Sequence, residues 1–285
     1  MKRNEFRFSE RLRVRWAEID AQQIVFNGHY LMYFDTAIAG YWRALAMPYA
    51  QTMTQLGSDL FVRKATVEYE ASARYDDVLE IGMRCARIGT SSILFSGAAF
   101  RQDQLLVSCE LVYVFADPRS QSSRPVPDSL RATLLAFEAG EAMVDVRVGN
   151  WDTLGEHARG IRTDVFIEEQ KIPVEMEWDD GDAQCVHALA LNRFGLPLAT
   201  GRLLPHANGV ARIGRMAVVQ AVRGSGVGRA VLDALMQAAK ARGDVEVRLH
   251  AQTSAQAFYA RAGFTPMGSV FEEAGIPHIE MTRPF

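Results

Sequence analysis

The stretch QAVRGSGVGRAVL, residues 220–232, constrains the fold more than any other part of the chain. Three glycines at alternate positions (224, 226 and 228) follow an arginine and run directly into an apolar helix pattern. A strand-like run over 211–219 precedes them, so the unit reads as strand, glycine turn, helix. Such a turn leaves backbone amides unobstructed beside a helix N-terminus, whose free N–H groups and positive dipole end suit a pyrophosphate. Two nucleotide loops are excluded by spacing. A P-loop needs Gly-Lys-Ser/Thr where this chain has Gly-Arg-Ala, and a dinucleotide loop needs G-x-G-x-x-G where this chain has G-x-G-x-G. On the motif alone, a turn that only caps the helix is an equal alternative.

The surrounding pattern alternates. A helix is expected over 152–169, strands over 185–193, 197–204 and 211–219, a helix over 226–242 ended by Gly243, a strand over 245–250, a helix over 254–262 and a strand over 277–283. This order suits a mixed, partly parallel sheet. The first half has a different grain. Residues 11–19 alternate, with Leu12, Val14 and Trp16 on one face of an expected strand. From Tyr30 to Leu45 the apolar residues Leu31, Phe34, Ile38, Tyr41, Trp42 and Leu45 recur three and four apart, a helix that needs cover on several sides. Strand-like runs follow at 61–71, 78–88, 91–100 and 105–116. One buried helix with a run of antiparallel strands describes an α+β domain.

The Pro- and Ser-rich stretch 117–129 reads as a loop, and a short amphipathic helix over 130–137 closes the first half before a new strand pattern begins at 144. With 285 residues against roughly 100–200 per domain, two domains are expected, 1–140 and 141–285.

Composition excludes several partners. A net charge of −3 with 23% charged residues gives no basic surface for nucleic acid, and 48% hydrophobic residues without a long apolar run suits a soluble protein off the membrane. The start, MKRNEFRFSERLRVRW, has no apolar core of a signal peptide. Three separated cysteines and six histidines form no metal-ligand or redox spacing, so no metal is expected and a cytoplasmic location is.

The segment RIGRMAVVQAVRGSGVGRAVL resembles the acetyl-CoA motif of the GNAT superfamily of N-acetyltransferases, through Gln220 and the series Arg223, Gly224, Gly226, Gly228. HAQTSAQAFYARAGF resembles that family's next block, an aromatic-Tyr pair before an Ala-Gly-Phe turn. The resemblance covers about residues 145–285. It implies that backbone groups of Met216, Ala217 and Val218 face the pantetheine. It implies too that amides from Arg223 through Gly224, Ser225, Gly226 and Val227 to Gly228 cradle the pyrophosphate, and that Tyr259 protonates the departing thiolate. Gln252 stands where the family often has Asn, a change that still permits a hydrogen bond to the cofactor. No general base is assigned. Glu168, Glu169, Glu175 and Glu177 cluster in FIEEQKIPVEMEWDD, and a solvated acidic face is the first reading of such a run.

The earlier stretch WAEIDAQQIVFNGHYLMYFDTA resembles the hotdog-fold acyl-CoA thioesterases of the 4-hydroxybenzoyl-CoA thioesterase type, over residues 8–138. It implies an antiparallel sheet around a central helix, with Asp20 after the first strand and the helix entered through Asn27, Gly28 and His29. Amides at Asn27 or Gly28 would polarise a thioester carbonyl, and Asp20 would attack it or activate water. A packing or positioning role is the first reading of His29. Gln22-Gln23 and Asn27 depart from the common pattern. Domains of this type pair their sheets in dimers, so a homo-oligomer is expected.

Together these readings describe a bifunctional enzyme that uses acyl-CoA as substrate in one half and acetyl-CoA with a small-molecule amine in the other. The alternative is an active thioesterase regulated by a catalytically silent, acetyl-CoA-sensing GNAT-like domain.

Overall fold

The computed structural model describes residues 1–205 and 208–285; His206, one of the six histidines weighed above, lies outside the described residues with Ala207. The chain forms two compact units, Met1–Met143 and Val144–Phe285.

The first unit is a five-stranded antiparallel sheet of β1 (Phe8–Arg13), β2 (Asp59–Tyr69), β3 (Val78–Ile88), β4 (Ser92–Arg101) and β5 (Gln104–Ala116), in the order β1-β3-β4-β5-β2. Helix α1 (His29–Ala44) lies on it, burying Phe34, Ala37, Ile38, Tyr41 and Trp42. The close approach of helix and sheet explains Gly97. A Cβ there would lie 2.8 Å from both the Phe34 ring and Met83 Sδ, so only glycine fits without moving one of them. This is the hotdog arrangement that the first-half pattern implies.

The expected strand over 11–19 ends early. Residues Trp16–Glu18 form a short 3-10 turn, because the Glu18 carboxylate accepts the Arg15 N–H and so bends the chain out of the ladder. Trp16, expected on the buried face, is 67% exposed, whereas Val14 is buried. A helix that periodicity did not reveal, α2 (Tyr49–Leu56), follows α1 and stops at Gly57 in the left-handed region.

Helix α3 (Asp128–Glu138) belongs to this unit. Glu138 Oε1 accepts the Tyr41 hydroxyl at 2.5 Å and the Cys85 N–H at 2.7 Å, tying α3 to α1 and β3. The turn after α3 holds residues to 141 against its last carbonyls, which is why the unit runs to Met143, beyond residue 140.

The second unit is a seven-stranded mixed sheet of β6 (Val144–Gly149), β7 (Val186–Asn192), β8 (Pro197–Leu203), β9 (Val210–Val218), β10 (Glu246–Gln252), β11 (Thr265–Glu273) and β12 (Ile276–Pro284). Its order is β11-β12-β10-β9-β8-β7-β6, with β9 and β10 its parallel pair. The helices are α4 (Trp151–Arg162), α5 (Val174–Glu177), α6 (Val227–Arg242) and α7 (Gln256–Arg261). Strands β7 and β8 are buried at every residue after their first, which requires cover on both faces. Helix α4 packs on Leu189 and Leu191, and α6 on Gly201.

Two features depart from the expected pattern. β11 was not visible as a strand, because nearly all of it is exposed on the sheet's edge and carries no apolar alternation. The helix expected over 152–169 is α-helical only to Arg162 and continues as a π-helical segment, Thr163–Glu169, a geometry that is rare outside functional sites.

Candidate active sites in the two units

In the first unit the chain between β1 and α1 folds into a tight turn over a cavity of about 530 Å³ lined by Asp20, Gln22, Phe26, Asn27, Tyr30 and Tyr69, among others. Asp20 Oδ1 accepts the Gln22 N–H at 2.8 Å. No other partner occurs for its carboxylate among the described residues, and Asp20 is half-buried at the cavity wall. Gly28 caps α1, and its N–H has no acceptor among the described residues. A Cβ at Gly28 would lie 2.9 Å from the Phe26 ring. Asn27 is placed by its backbone: its carbonyl accepts the Tyr69 hydroxyl at 3.1 Å and the Tyr30 N–H at 3.3 Å. His29 sits with its ring edge toward Phe26, its Nδ1 buried without a hydrogen-bond partner among the described residues, in keeping with packing.

Sequence reasoning missed Glu18, buried two residues before Asp20. Burial pushes its carboxyl upward, but hydrogen bonds from the Arg15 N–H, the Tyr33 hydroxyl and the Arg15 guanidinium outweigh this and hold it below the ordinary carboxylate range. Its own carbonyl accepts the Phe26 N–H, so Glu18 anchors both ends of the Asp20 turn. The signal was present as an Arg-x-x-Glu spacing at 15–18, which makes a 3-10 capping turn.

In the second unit the ladder between β9 and β10 pairs Val210 with Glu246 through Ile213 with Leu249 and then stops. The cause is Arg215, which adopts φ +52° where the β8–β9 register shifts. This extra residue bends β9 away from β10, and the gap opens beside Met216, Ala217 and Val218. A cavity of about 790 Å³ fills it, lined by those three residues and by Arg223, Gly224, Gly226, Gly228, Gln252 and Tyr259, among others.

The glycine turn has two parts. Gly224 and Gly226 have φ of +86° and +90°, which side chains rarely adopt, and Gly228 packs where a Cβ would lie 3.0 Å from Val218. The N–H groups of Arg223 and Ser225 are used within the turn, donating to Gln220 O and Val222 O; Ser225 Oγ also donates to Val222 O, and Val227 buries its side chain. Among the described residues the N–H groups of Gly224, Gly226, Val227 and Gly228 have no acceptor, and they lie at the positive, N-terminal end of the sixteen-residue helix α6. Replacement of Gly226 by Ala is expected to cost about 1–2 kcal/mol, read from the unfolding midpoint, because an L side chain must enter the left-handed region. An unshifted midpoint would show that the turn relaxes at no cost.

Tyr259 is buried, with ring edges toward Phe258 and Phe264. Burial pushes its phenol upward, so it stays protonated at neutral pH and can serve as a proton donor. Gln252 Nε2 donates to Gln170 Oε1 at 2.9 Å, bridging β10 to the end of the π-helical segment. Tyr259, Gln252, Met216 and Gln170 also line a second cavity of about 440 Å³. Ala255 is also common to both linings, so the two chambers meet at these five residues.

The acidic cluster does not act as one group. Glu168 and Glu175 are exposed. Glu169 makes a two-pronged contact with Arg223 at 2.7 and 2.6 Å, whose hydrogen bond pulls its carboxyl downward. Glu177, far from lying on a solvated face, is buried between Arg162 and Arg215. Arg162 also contacts Asp182 at 2.8 and 2.9 Å, and Arg202 joins Asp182 to Asp179. Trp151 and Trp178 stack on the Arg162 guanidinium. Three arginines and three carboxylates thus form a charge-balanced network, buried at Arg162, Glu177, Asp182 and Arg202 and reaching solvent at Asp179, that pins the Arg215 bulge. Among the described residues no three His, Cys, Asp or Glu are grouped to hold a metal, and no helix is long and apolar enough to cross a membrane.

Comparison with known proteins places both units. The family model for the acetyltransferase (GNAT) domain matches residues 167–284, and that for the thioesterase superfamily matches residues 22–108. An N-acetyltransferase of Bacillus subtilis named YjcF, described as uncharacterized, is 32% identical over 124 residues, covering 43% of this chain and 87% of that protein. A protein of Aquifex aeolicus named "Putative esterase" is 32% identical over 96 residues, covering 34% of this chain and 74% of that protein. A solved acyl-CoA N-acyltransferase from Pseudomonas aeruginosa is 35% identical, covering 49% of this chain and 99% of that one, with a TM-score of 0.45. The chain belongs to both families: it is a fusion of a hotdog domain of the thioesterase superfamily with a GNAT acetyltransferase domain.

Proposed function

We propose that the chain is a bifunctional CoA-thioester enzyme. The first unit hydrolyses an acyl-CoA to the acid and CoA, and the second transfers the acetyl group of acetyl-CoA to a small-molecule amine. The observation that carries the reading is the meeting of two chambers at Tyr259, one of them walled by the splayed β9 and the free amides of α6. A cofactor and an acceptor can enter from separate sides.

In the transferase, the free N–H groups of Gly224, Gly226, Val227 and Gly228 would hold the pyrophosphate, and the part of β9 without a β10 partner, at Met216, Ala217 and Val218, the pantetheine. The amine nitrogen attacks the acetyl carbonyl carbon, the C–S bond breaks, and Tyr259 gives its proton to the thiolate. In the hydrolase, Asp20 attacks the thioester or removes a proton from water, and the Gly28 N–H at the start of α1 stabilises the oxyanion. The exposed edge strand β2, with Phe61, Val62 and Tyr69 in solvent, supports pairing of two copies through the hotdog unit, and three free cysteines support a reducing, cytoplasmic setting.

The test is CoA release from a panel of acyl-CoAs, with and without amines. Tyr259→Phe is expected to lower amine-dependent release by about 10²-fold while acetyl-CoA still binds. Unchanged release in Tyr259→Phe would remove Tyr259 from the chemistry. The second reading, a silent acetyl-CoA sensor, draws support from the engagement of Glu169 and Glu177 with arginines, which leaves neither of these two carboxylates a ready base. It predicts hydrolysis altered by acetyl-CoA and no acetylated product.

A further inference from the structure

We propose that His250 is the general base that takes the proton from the acceptor amine, with Glu273 positioning it. The inference rests on the transferase reading above and supplies the group that reading lacks.

His250 lies on β10 immediately after Leu249, the last residue paired with β9, and so stands at the mouth of the splay. It lines the second cavity together with Tyr259 and Gln252. Gln252 is two residues along the same strand, hence on the same face as His250, and its partner Gln170 borders both chambers. The His250 ring is therefore on the acceptor side of the point where Tyr259 faces the thioester.

Its Nδ1 lies 2.9 Å from Glu273 Oε2. With a carboxylate as partner, Nδ1 carries the hydrogen and donates it, which leaves the lone pair on Nε2. The carboxylate also stabilises the imidazolium once Nε2 has taken a proton. Phe271, with its ring 4.8 Å from the His250 ring and edge-on, limits the ring's swing. His278 lines the same cavity, but its Nδ1 donates to the Ile276 carbonyl at 2.7 Å, a neutral partner within its own turn.

The step balances. The amine nitrogen forms a bond to the acetyl carbon and loses a proton to His250 Nε2, directly or through one water. The C–S bond breaks, the sulfur takes the proton of Tyr259, and solvent then accepts the proton held by His250 and supplies one to Tyr259.

The charged groups around His250 are Glu273 on β11, Glu280 and His278 on β12, Arg248 on its own strand and Arg212 on β9, the last 3.4 Å from Glu280.

The experiment follows kcat/KM against pH for acetyl transfer by the full chain, with n-butylamine, spermidine and tyramine as acceptors. His250→Gln is expected to lose about 10²-fold or more in kcat and to lose the acid limb, with acetyl-CoA binding unchanged. Glu273→Gln should lower kcat and leave the KM for acetyl-CoA unchanged, and added imidazole should restore part of the rate to His250→Ala. A His250→Gln protein with the wild-type rate and acid limb overturns the assignment alone. A wild type that releases no CoA in response to any of the three amines overturns the transferase reading and the assignment with it.

Discussion

Asp20→Asn is expected to abolish amine-independent CoA release, lowering it by at least about 10²-fold, while leaving the fold intact. The asymmetry follows from what each carboxylate oxygen does. Oδ1 accepts the Gln22 N–H and shapes the turn, a role that an asparagine carbonyl oxygen can fill. The other oxygen has no partner among the described residues, Asp20 lines the cavity, and only a carboxylate would supply there the negative charge to attack a thioester or deprotonate water. Thiolate is a good leaving group, so a single carboxylate beside one helix N-terminus is sufficient chemistry. The measurement is release from acyl-CoAs without amine, paired with a thermal unfolding scan. Undiminished release would assign Asp20 to the turn and end its candidacy.

Arg162→Met is expected to destabilise the second unit by about 3–5 kcal/mol, the largest single effect on stability that the structure implies. Arg162 is fully buried, and its removal leaves the buried Glu177 and Asp182 charged without it or forced to take up protons. Burial already pushes Glu177 upward against the pull of Arg162 and Arg215. Lysine is no substitute, because one ammonium cannot reach both carboxylates as the planar guanidinium does. The loss should spread to the cavity beside the splay of β9 and β10. Glu177 Oε2 is 3.0 Å from Arg215 Nε, and the carbonyls of Met176 and Glu177 accept from the same guanidinium. Freed from them, Arg215 no longer holds the bulge that parts β9 from β10. Denaturant unfolding, followed through the emission of Trp151 and Trp178 that stack on Arg162, measures the first effect, and the dissociation constant for acetyl-CoA the second. A midpoint equal to that of the wild type would show the network to be dispensable.

Local chemistry made part of this protein legible from residues alone. The Arg223–Gly228 turn could be read because glycine at 224 and 226 answers a backbone demand, a positive φ, that no other residue meets cheaply. The central helix from Tyr30 to Leu45 could be read because its apolar spacing follows the helical period, and the boundary region because Pro and Ser interrupt both periods. Short or exposed elements were illegible: α2 is too brief to establish a period, and β11 has no buried face to print alternation on the sequence.

What the sequence determined by itself was the order of the longer, half-buried elements, the two folds and the loops that carry backbone donors, since each depends on residues adjacent in the chain. Only the tertiary structure decided which charges meet. Arg162, Glu177, Asp182 and Arg202 span forty residues and three kinds of local structure, and in sequence Glu177 is one acid in an acidic run. Likewise His250 and Glu273 are joined across β10 and β11, and Gln170 with Gln252 across 82 residues. The physical reason is that a charge is silent about its partner until burial removes water from both. The pairing is then set by which strands and helices the core brings together.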